Sequence, residues 1–107
     1  MVEILYKRNS HSLRLRGHAG AGEPGKDPVC AGVSALTLTL ADNVAQLVTQ
    51  GSADRPLLRL ERGDSWIRCR STGRMKPVVT LIFDSICSGF QLLHTLYPDY
   101  IDYRVQE

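Results

Sequence analysis

The sequence has few cysteines, little net charge and no long apolar run. Its 107 residues include three cysteines, whose odd number and spacing do not suit a disulfide framework. The N-terminus lacks the apolar core of a signal peptide, and no run approaches the ~18 apolar residues of a membrane span. The formal net charge of +2 is too small to indicate nucleic acid as a partner. These absences predict a cytoplasmic protein with reduced thiols, no membrane partner and no direct nucleic-acid binding.

The periodicity of the apolar residues predicts seven elements in one domain over residues 1–107. Alternating residues indicate strands, and apolar residues three or four apart indicate helices. Strands are expected at residues 2–7, 12–17, 58–61, 65–70 and 100–105, and helices at 28–50 and from a start within 71–76 to residue 96. Residues 52–56 are interpreted as a loop, and Gly63–Asp64 as a hairpin turn. The order ββαββαβ predicts an α+β fold, a mostly antiparallel sheet with two helices packed on one face.

A histidine and a cysteine flank the loop between the second strand and the first helix. Twelve positions separate His18 from Cys30, and in a ββα unit they start at the same end of the sheet. If Pro28 is the first helical residue, Cys30 is the third. There the unpaired N–H groups and the helix dipole favour a thiolate and could hold an oxyanion. This arrangement predicts a cysteine nucleophile with a histidine base, the alternative being that Cys30 is a small buried apolar residue.

Two polar residues near this pair have two interpretations each. Asp27 either caps the helix or turns toward His18 as the orienting acid of a triad. Ser34 lies one helical turn after Cys30. Its hydroxyl either supports the thiol or bonds back to a helix carbonyl.

The loop glycines Gly20, Gly22 and Gly25 match the dinucleotide fingerprint by spacing alone. The helix begins only at Asp27–Pro28, and the predicted order contains no parallel βαβ unit to hold a nucleotide. The glycines are interpreted instead as a substrate loop that can open for an extended chain and close over it. No further Cys/His pair has ligand spacing, so neither a metal nor another cofactor is expected.

The remaining candidate residues are assigned structural or surface roles. Cys69 and Cys87 are expected in the core, whereas His11 and His94 are expected in solvent. The outward sheet face combines one aromatic residue with four arginines: Trp66, Arg14, Arg16, Arg68 and Arg70. That face is interpreted as solvated, although it could bind RNA or an acidic tail, and Trp66 could mark a homodimer contact.

The segment around His18 and Cys30 resembles the ribosomal-processing cysteine protease family, Prp. The matching residues are His18-Ala19, then Asp27, Val29-Cys30-Ala31 and Ser34, with Pro28 where members usually carry an apolar residue such as isoleucine. The resemblance implies a homodimeric cytoplasmic endopeptidase that removes the short N-terminal extension of large-subunit ribosomal protein twenty-seven after an aromatic residue. It implies Cys30 as nucleophile and His18 as base and acid. The alternative is a non-catalytic ribosome-associated module that binds RNA or protein.

Overall fold

Seven elements follow one another in the predicted order. The computed structural model describes residues 1–20, 22 and 27–107. The elements are β1 (Val2–Lys7), β2 (Ser12–Arg16), α1 (Pro28–Thr49), β3 (Ala53–Glu61), β4 (Asp64–Ser71), α2 (Lys76–Leu96) and β5 (Ile101–Gln106). The α+β fold and the ββαββαβ order are therefore confirmed.

The five strands form one sheet in the order β3-β4-β2-β1-β5. All neighbouring strands are antiparallel except β1 and β5, which run parallel. Alternate residues of the strands point to one face and are buried there beneath both helices, with α1 on β3 and β4 and α2 on β5. The buried strand residues include Ile4, Tyr6, Leu13, Leu15, Ile67 and Ile101. Both helices therefore pack on one face of the sheet, as the sequence predicted.

Strand β3 departs from the prediction at both of its ends. It begins at Ala53 rather than after Pro56, because Ala53 and Asp54 already pair with the end of β4. A register shift follows Asp54, and Arg55 adopts a φ of 50° within it, as expected of a bulge. At the other end, the hairpin turn is residues 62–63 and not 63–64, because Asp64 pairs with Glu61.

Two histidines expected in solvent are packed against the protein. His11 is only 3% exposed, because the β1–β2 turn folds over the end of the core and brings its ring to 5.7 Å from that of Phe83, in a tilted contact. His94 is half-buried, with Nδ1 2.6 Å from the carbonyl oxygen of Ile101. The predicted core positions of Cys69 and Cys87 are confirmed.

The two helices approach each other closely at a glycine on each. Leu93 of α2 lies over Gly32 of α1, and Leu36 of α1 lies over Gly89 of α2. A Cβ at residue 89 would lie 2.7 Å from a methyl of Leu36, whereas one at residue 32 would lie 3.4 Å from Leu93. This reciprocal contact positions α1, and therefore its first turn, relative to the rest of the molecule.

Either helix could cross a membrane by length and composition alone, but core helices of soluble proteins share these properties. Here Leu40 and Val44 of α1, like Phe83 and Phe90 of α2, are buried in the core. The absence of a membrane partner stays a prediction.

The two helix glycines should respond differently to alanine. Gly32→Ala should raise the free energy of unfolding by up to about 1 kcal/mol, because alanine favours the helix and the added methyl fits. The methyl group of Gly89→Ala would clash with Leu36. The free energy of unfolding of this variant should therefore be roughly 1–2 kcal/mol lower than that of Gly32→Ala. Urea unfolding of both variants checks this. Equal stability would show that Leu36 moves aside without loss.

Candidate active site

A cleft of about 550 Å³ opens where β2 ends and α1 begins. His18 reaches it from the end of β2, while Cys30 and Ser34 reach it from successive turns of α1. The hairpin between β3 and β4 forms the opposite wall. The sequence-predicted histidine and cysteine therefore line one cleft, together with the predicted serine.

Cys30 differs from the other two cysteines in its exposure. It is the third residue of α1, which begins at Pro28 as predicted, and its side chain faces solvent in the cleft. Its neighbour Val29 is buried at 1% exposure and anchors the turn in the core. A reagent or substrate can therefore reach this thiol directly.

The hairpin turn packs against the imidazole of His18. The N–H of Gly17 donates to the carbonyl oxygen of Gly63 at 2.9 Å, which ties the end of β2 to the turn. Gly63 has a φ of 77°, and a Cβ there would lie 2.7 Å from Nε2 of His18. The ring thus lies directly over a glycine that can carry no side chain without displacing it. The sequence placed Gly63 in the hairpin turn but did not indicate its contact with His18, because that contact depends on the tertiary fold.

Asp27 caps α1, as the first of its two interpretations predicted. One carboxylate oxygen accepts the N–H groups of Val29 at 2.9 Å and Cys30 at 3.0 Å. Its carbonyl oxygen accepts the N–H of Ala31 at 3.0 Å. The first-turn donors expected to hold an oxyanion are thus already occupied. Within the described part of the chain, no hydrogen bond joins Asp27 to His18, so the orienting-acid arrangement is not the one adopted.

The other predicted site residues have less defined positions. Ser34 is exposed in the cleft, and among the described residues its hydroxyl has no hydrogen-bond partner, so the backbone interpretation is not supported. Gly20 and Gly22 are exposed, and no atom within 4 Å of Gly20 would obstruct a side chain. Gly25 lies outside the described residues.

Apolar side chains line the cleft on two sides and were not singled out in the sequence. Leu38 of α1 is 57% exposed and Leu60 of β3 is 45% exposed, and both line the cleft. Leu38 belongs to the helix wall of the cleft and Leu60 to the hairpin wall. Together they provide apolar surface for a ligand side chain. Among the residues that the structure describes, no three His, Cys, Asp or Glu side chains are grouped as metal ligands.

Comparison with known proteins defines the class of this domain. The family model described as cysteine protease Prp matches residues 1–102. The chain therefore belongs to that family and is a cysteine protease of the kind that processes ribosomal proteins. This membership favours the enzyme over the non-catalytic module. No curated protein sequence matches the chain.

Solved structures of the same fold include the ribosomal processing protease Prp of S. aureus with a covalently linked product peptide. That structure is 26% identical and covers 98% of this chain and 97% of its own, with a TM-score of 0.74. The same protease with a substrate peptide is 25% identical at a TM-score of 0.67, with coverage of 98% and 97%. The crystal structure of a Streptococcus mutans protein is 26% identical, with a TM-score of 0.66. The match covers 98% of this chain and 91% of that protein's chain.

A methyl group at residue 63 should impair catalysis by displacing His18. Gly63→Ala should lower kcat/KM for peptide cleavage about 10- to 100-fold, because small displacements of a catalytic group have effects of that size. Gly51→Ala is the matched control, with a φ of 78° and no atom within 4 Å of the new methyl. It should suffer the same backbone strain, about 1–2 kcal/mol, and keep its kcat/KM. Equal losses of activity in the two variants would refute the positioning role of the turn.

Alkylation in the folded state should select one thiol. Burial raises the pKa of Cys69 to about 11 and that of Cys87 to about 12, so neither forms much thiolate near neutral pH. Iodoacetamide at pH 7.5 should therefore add one group, at Cys30, and three groups after denaturation. Peptide mass mapping locates the adduct. An adduct at Cys69 or Cys87 in folded protein, or one in folded Cys30→Ala, would contradict the assigned burial.

Proposed function

We propose that the chain is an endopeptidase that removes the short N-terminal extension of large-subunit ribosomal protein twenty-seven, with Cys30 as nucleophile and His18 as acid and base. The observation that carries this proposal is that His18 and Cys30 line one open cleft, with the thiol in solvent. Membership of the Prp family supports the reaction class. The S. aureus protease was crystallised with a substrate peptide and with a covalently linked product, which supports a peptide substrate here.

The chemistry proceeds in two stages. His18 takes the proton of the Cys30 thiol, and the sulfur attacks the carbonyl carbon of the scissile bond. The tetrahedral intermediate collapses as His18 returns the proton to the leaving amine, which leaves a thioester on Cys30. Water, deprotonated by His18, then hydrolyses the thioester and regenerates the thiol.

The oxyanion of the intermediate needs hydrogen-bond donors, but the N–H groups in the first turn of α1 are already hydrogen-bonded. Asp27 accepts the N–H groups of Val29 and Cys30. We therefore assign oxyanion stabilisation either to groups outside this turn or to the turn after Asp27 has released it. One such donor contributes about 3 kcal/mol to transition-state stabilisation, so the distinction matters for rate.

The substrate loop and the apolar walls suit an extended peptide. Leu38 and Leu60 offer exposed apolar surface in the same cleft as the thiol, which would favour an aromatic or aliphatic side chain in the bound peptide. The assignment of Gly20, Gly22 and Gly25 to a substrate loop remains part of the proposal. A homodimer and a cytoplasmic location remain part of the proposal.

A cleavage assay tests the proposal directly. The protein is incubated with a peptide spanning the N-terminus of its host's ribosomal protein twenty-seven, and products are identified by mass spectrometry. We expect one cut by the wild type, and a loss of at least about 10³-fold in Cys30→Ala. Because Cys30 is exposed, this variant should keep its stability within about 0.5 kcal/mol.

Thr39→Ala provides the matched control, since it removes a small polar side chain from an exposed position of the same helix, outside the cleft. It should cleave at the wild-type rate. Cleavage by Cys30→Ala would exclude this residue as nucleophile. A single cut in a different ribosomal peptide would keep the dyad and change the substrate.

A further inference from the structure

The end of the sheet opposite the catalytic cleft contains a second cavity, of about 420 Å³. It lies between the β1–β2 turn, the bulge of β3, the end of β4 and the first residue of α2. Four cationic side chains line it: Arg55, Arg68, Arg70 and Lys76. Among the described residues, no carboxylate belongs to this lining.

The four cations are only partly balanced by neighbouring groups. Arg70 makes a two-pronged bond with Asp54, at 2.7 and 2.5 Å, and its charge is thereby compensated. Arg68 lies 5.1 Å over the ring of Trp66 and has no carboxylate partner in the described chain. Nor does any ion pair with a described residue involve Arg55 or Lys76. The cavity therefore retains an excess of positive charge.

His11 contributes an enclosed imidazole to the wall of the same cavity. Its side chain is 97% buried, and its Nδ1 is completely buried with no hydrogen-bond partner. The backbone leaves little freedom to turn away, because the N–H of His11 donates to Arg8 and its carbonyl accepts from Cys69, both at 3.3 Å. A buried polar group without a partner costs about 1–3 kcal/mol. The imidazole lies close enough to the cavity for a bound anion to act on its charge.

The backbone at this cavity is strained in two places. Among the described residues, His11 and Arg55 are the two non-glycine residues with positive φ, at 47° and 50°, and both line the cavity. Such conformations cost of order 1–3 kcal/mol and cluster at binding sites. The bulge at Arg55 turns its side chain out of the regular alternation of β3.

The start of α2 adds further positive potential. Lys76 is its first residue, and the N-cap residue Met75 makes no side-chain hydrogen bond, in contrast to Asp27 at the start of α1. The positive end of the dipole of this 21-residue helix therefore lies at the cavity without a capping carboxylate.

We propose that this cavity binds a phosphate group, with Arg55, Arg68 and Lys76 as its charged ligands and His11 in its wall. Guanidinium and ammonium groups around one concave site are the usual ligands of phosphate oxygens. The phosphate could belong to a small anion or to the backbone of RNA, and the same contacts would serve both. The proposal is independent of the protease function, because the cavity shares no residue with the catalytic cleft.

Binding should be linked to protonation of His11. Burial, and then the charge of Lys76, lower the pKa of His11 below its ordinary value of 6.5, while Asp84 opposes them. The ionisable side chains around the ring are Tyr6, Arg8, Cys69, Lys76 and Asp84, with Arg55, Arg68 and Arg70 across the cavity. An anion in the cavity favours the imidazolium and raises this pKa. Affinity for an anion should therefore increase as the pH falls toward the lowered pKa of His11.

Nuclear magnetic resonance of the three histidine rings provides the test. Inorganic phosphate is titrated at pH 7.5 and 6.0 at constant ionic strength. Sulfate is used in parallel, because its own charge does not change over this range. We expect a saturable shift of the His11 signal, and tighter sulfate binding at the lower pH. His18 and His94 serve as internal references. A short oligouridylate is titrated in a separate experiment. If it saturates the His11 shift at a lower concentration than phosphate does, the ligand is assigned to RNA. If only phosphate saturates the shift, the ligand is assigned to a small anion.

Three variants separate binding from folding. Lys76→Ala should weaken phosphate binding about tenfold, the effect of losing one charged hydrogen bond. Arg55→Gly should weaken it similarly while keeping or raising the Tm, since glycine relieves the strained φ. Arg16→Ala removes an exposed cation from the far end of β2 and should bind as the wild type does. Equal shifts of all three histidines, or unchanged affinity in both cavity variants, would overturn the proposal and leave only a general salt effect.

Discussion

The contact between the end of β2 and the β3–β4 turn is the constraint on which the catalytic arrangement depends. The N–H of Gly17 donates to the carbonyl oxygen of Gly63. Gly17 also leaves room for the carbonyl oxygen of Met1, with which any side chain at residue 17 would clash. Three segments far apart in sequence therefore meet beside His18. The imidazole needs no hydrogen bond of its own to be positioned, because the backbone beneath it is fixed on two sides.

The nucleophile is positioned by a different set of interactions. The cap at Asp27 sets the first residue of α1, and the interlocking of Gly32 with Leu93 and of Gly89 with Leu36 sets where the helix lies on its partner. The histidine is thus held by the sheet and the cysteine by the helices. The cleft between His18 and Cys30 lies at the edge between the sheet and the helix layer. Side chains of both layers can be exposed there without removing apolar residues from the core.

The sequence predicted the layers well because they depend on local periodicity. Alternation in β1, β2 and β4, and the apolar stripes of both helices, identified the elements, and Asp27–Pro28 identified the start of α1 and hence the place of Cys30. Strand pairing across β3 was harder, because Pro56 resembles a loop signal and the bulge that accommodates it depends on the partner strand. The same limit concealed Gly63, whose role exists only through its contact with His18.

The buried position of His11 could not be predicted for a related reason. A polar residue in a turn is usually solvated, and nothing local indicates that this turn folds over Phe83. The two ends of β2 therefore carry histidines of opposite character, His18 exposed in the cleft and His11 enclosed by aromatic and cationic groups. Five residues of strand separate a reactive site from a cavity with an excess of charge.

The cap at Asp27 links the durability of the fold to the reactivity of the thiol. Its carboxylate stabilises α1 by accepting the N–H groups of Val29 and Cys30, and the same two hydrogen bonds occupy donors that could otherwise stabilise the oxyanion. Selection for thermal stability would retain this aspartate, whereas selection for faster turnover would favour its replacement. A trade-off between longevity and speed is therefore concentrated in one side chain, so the two properties cannot be tuned separately at this position.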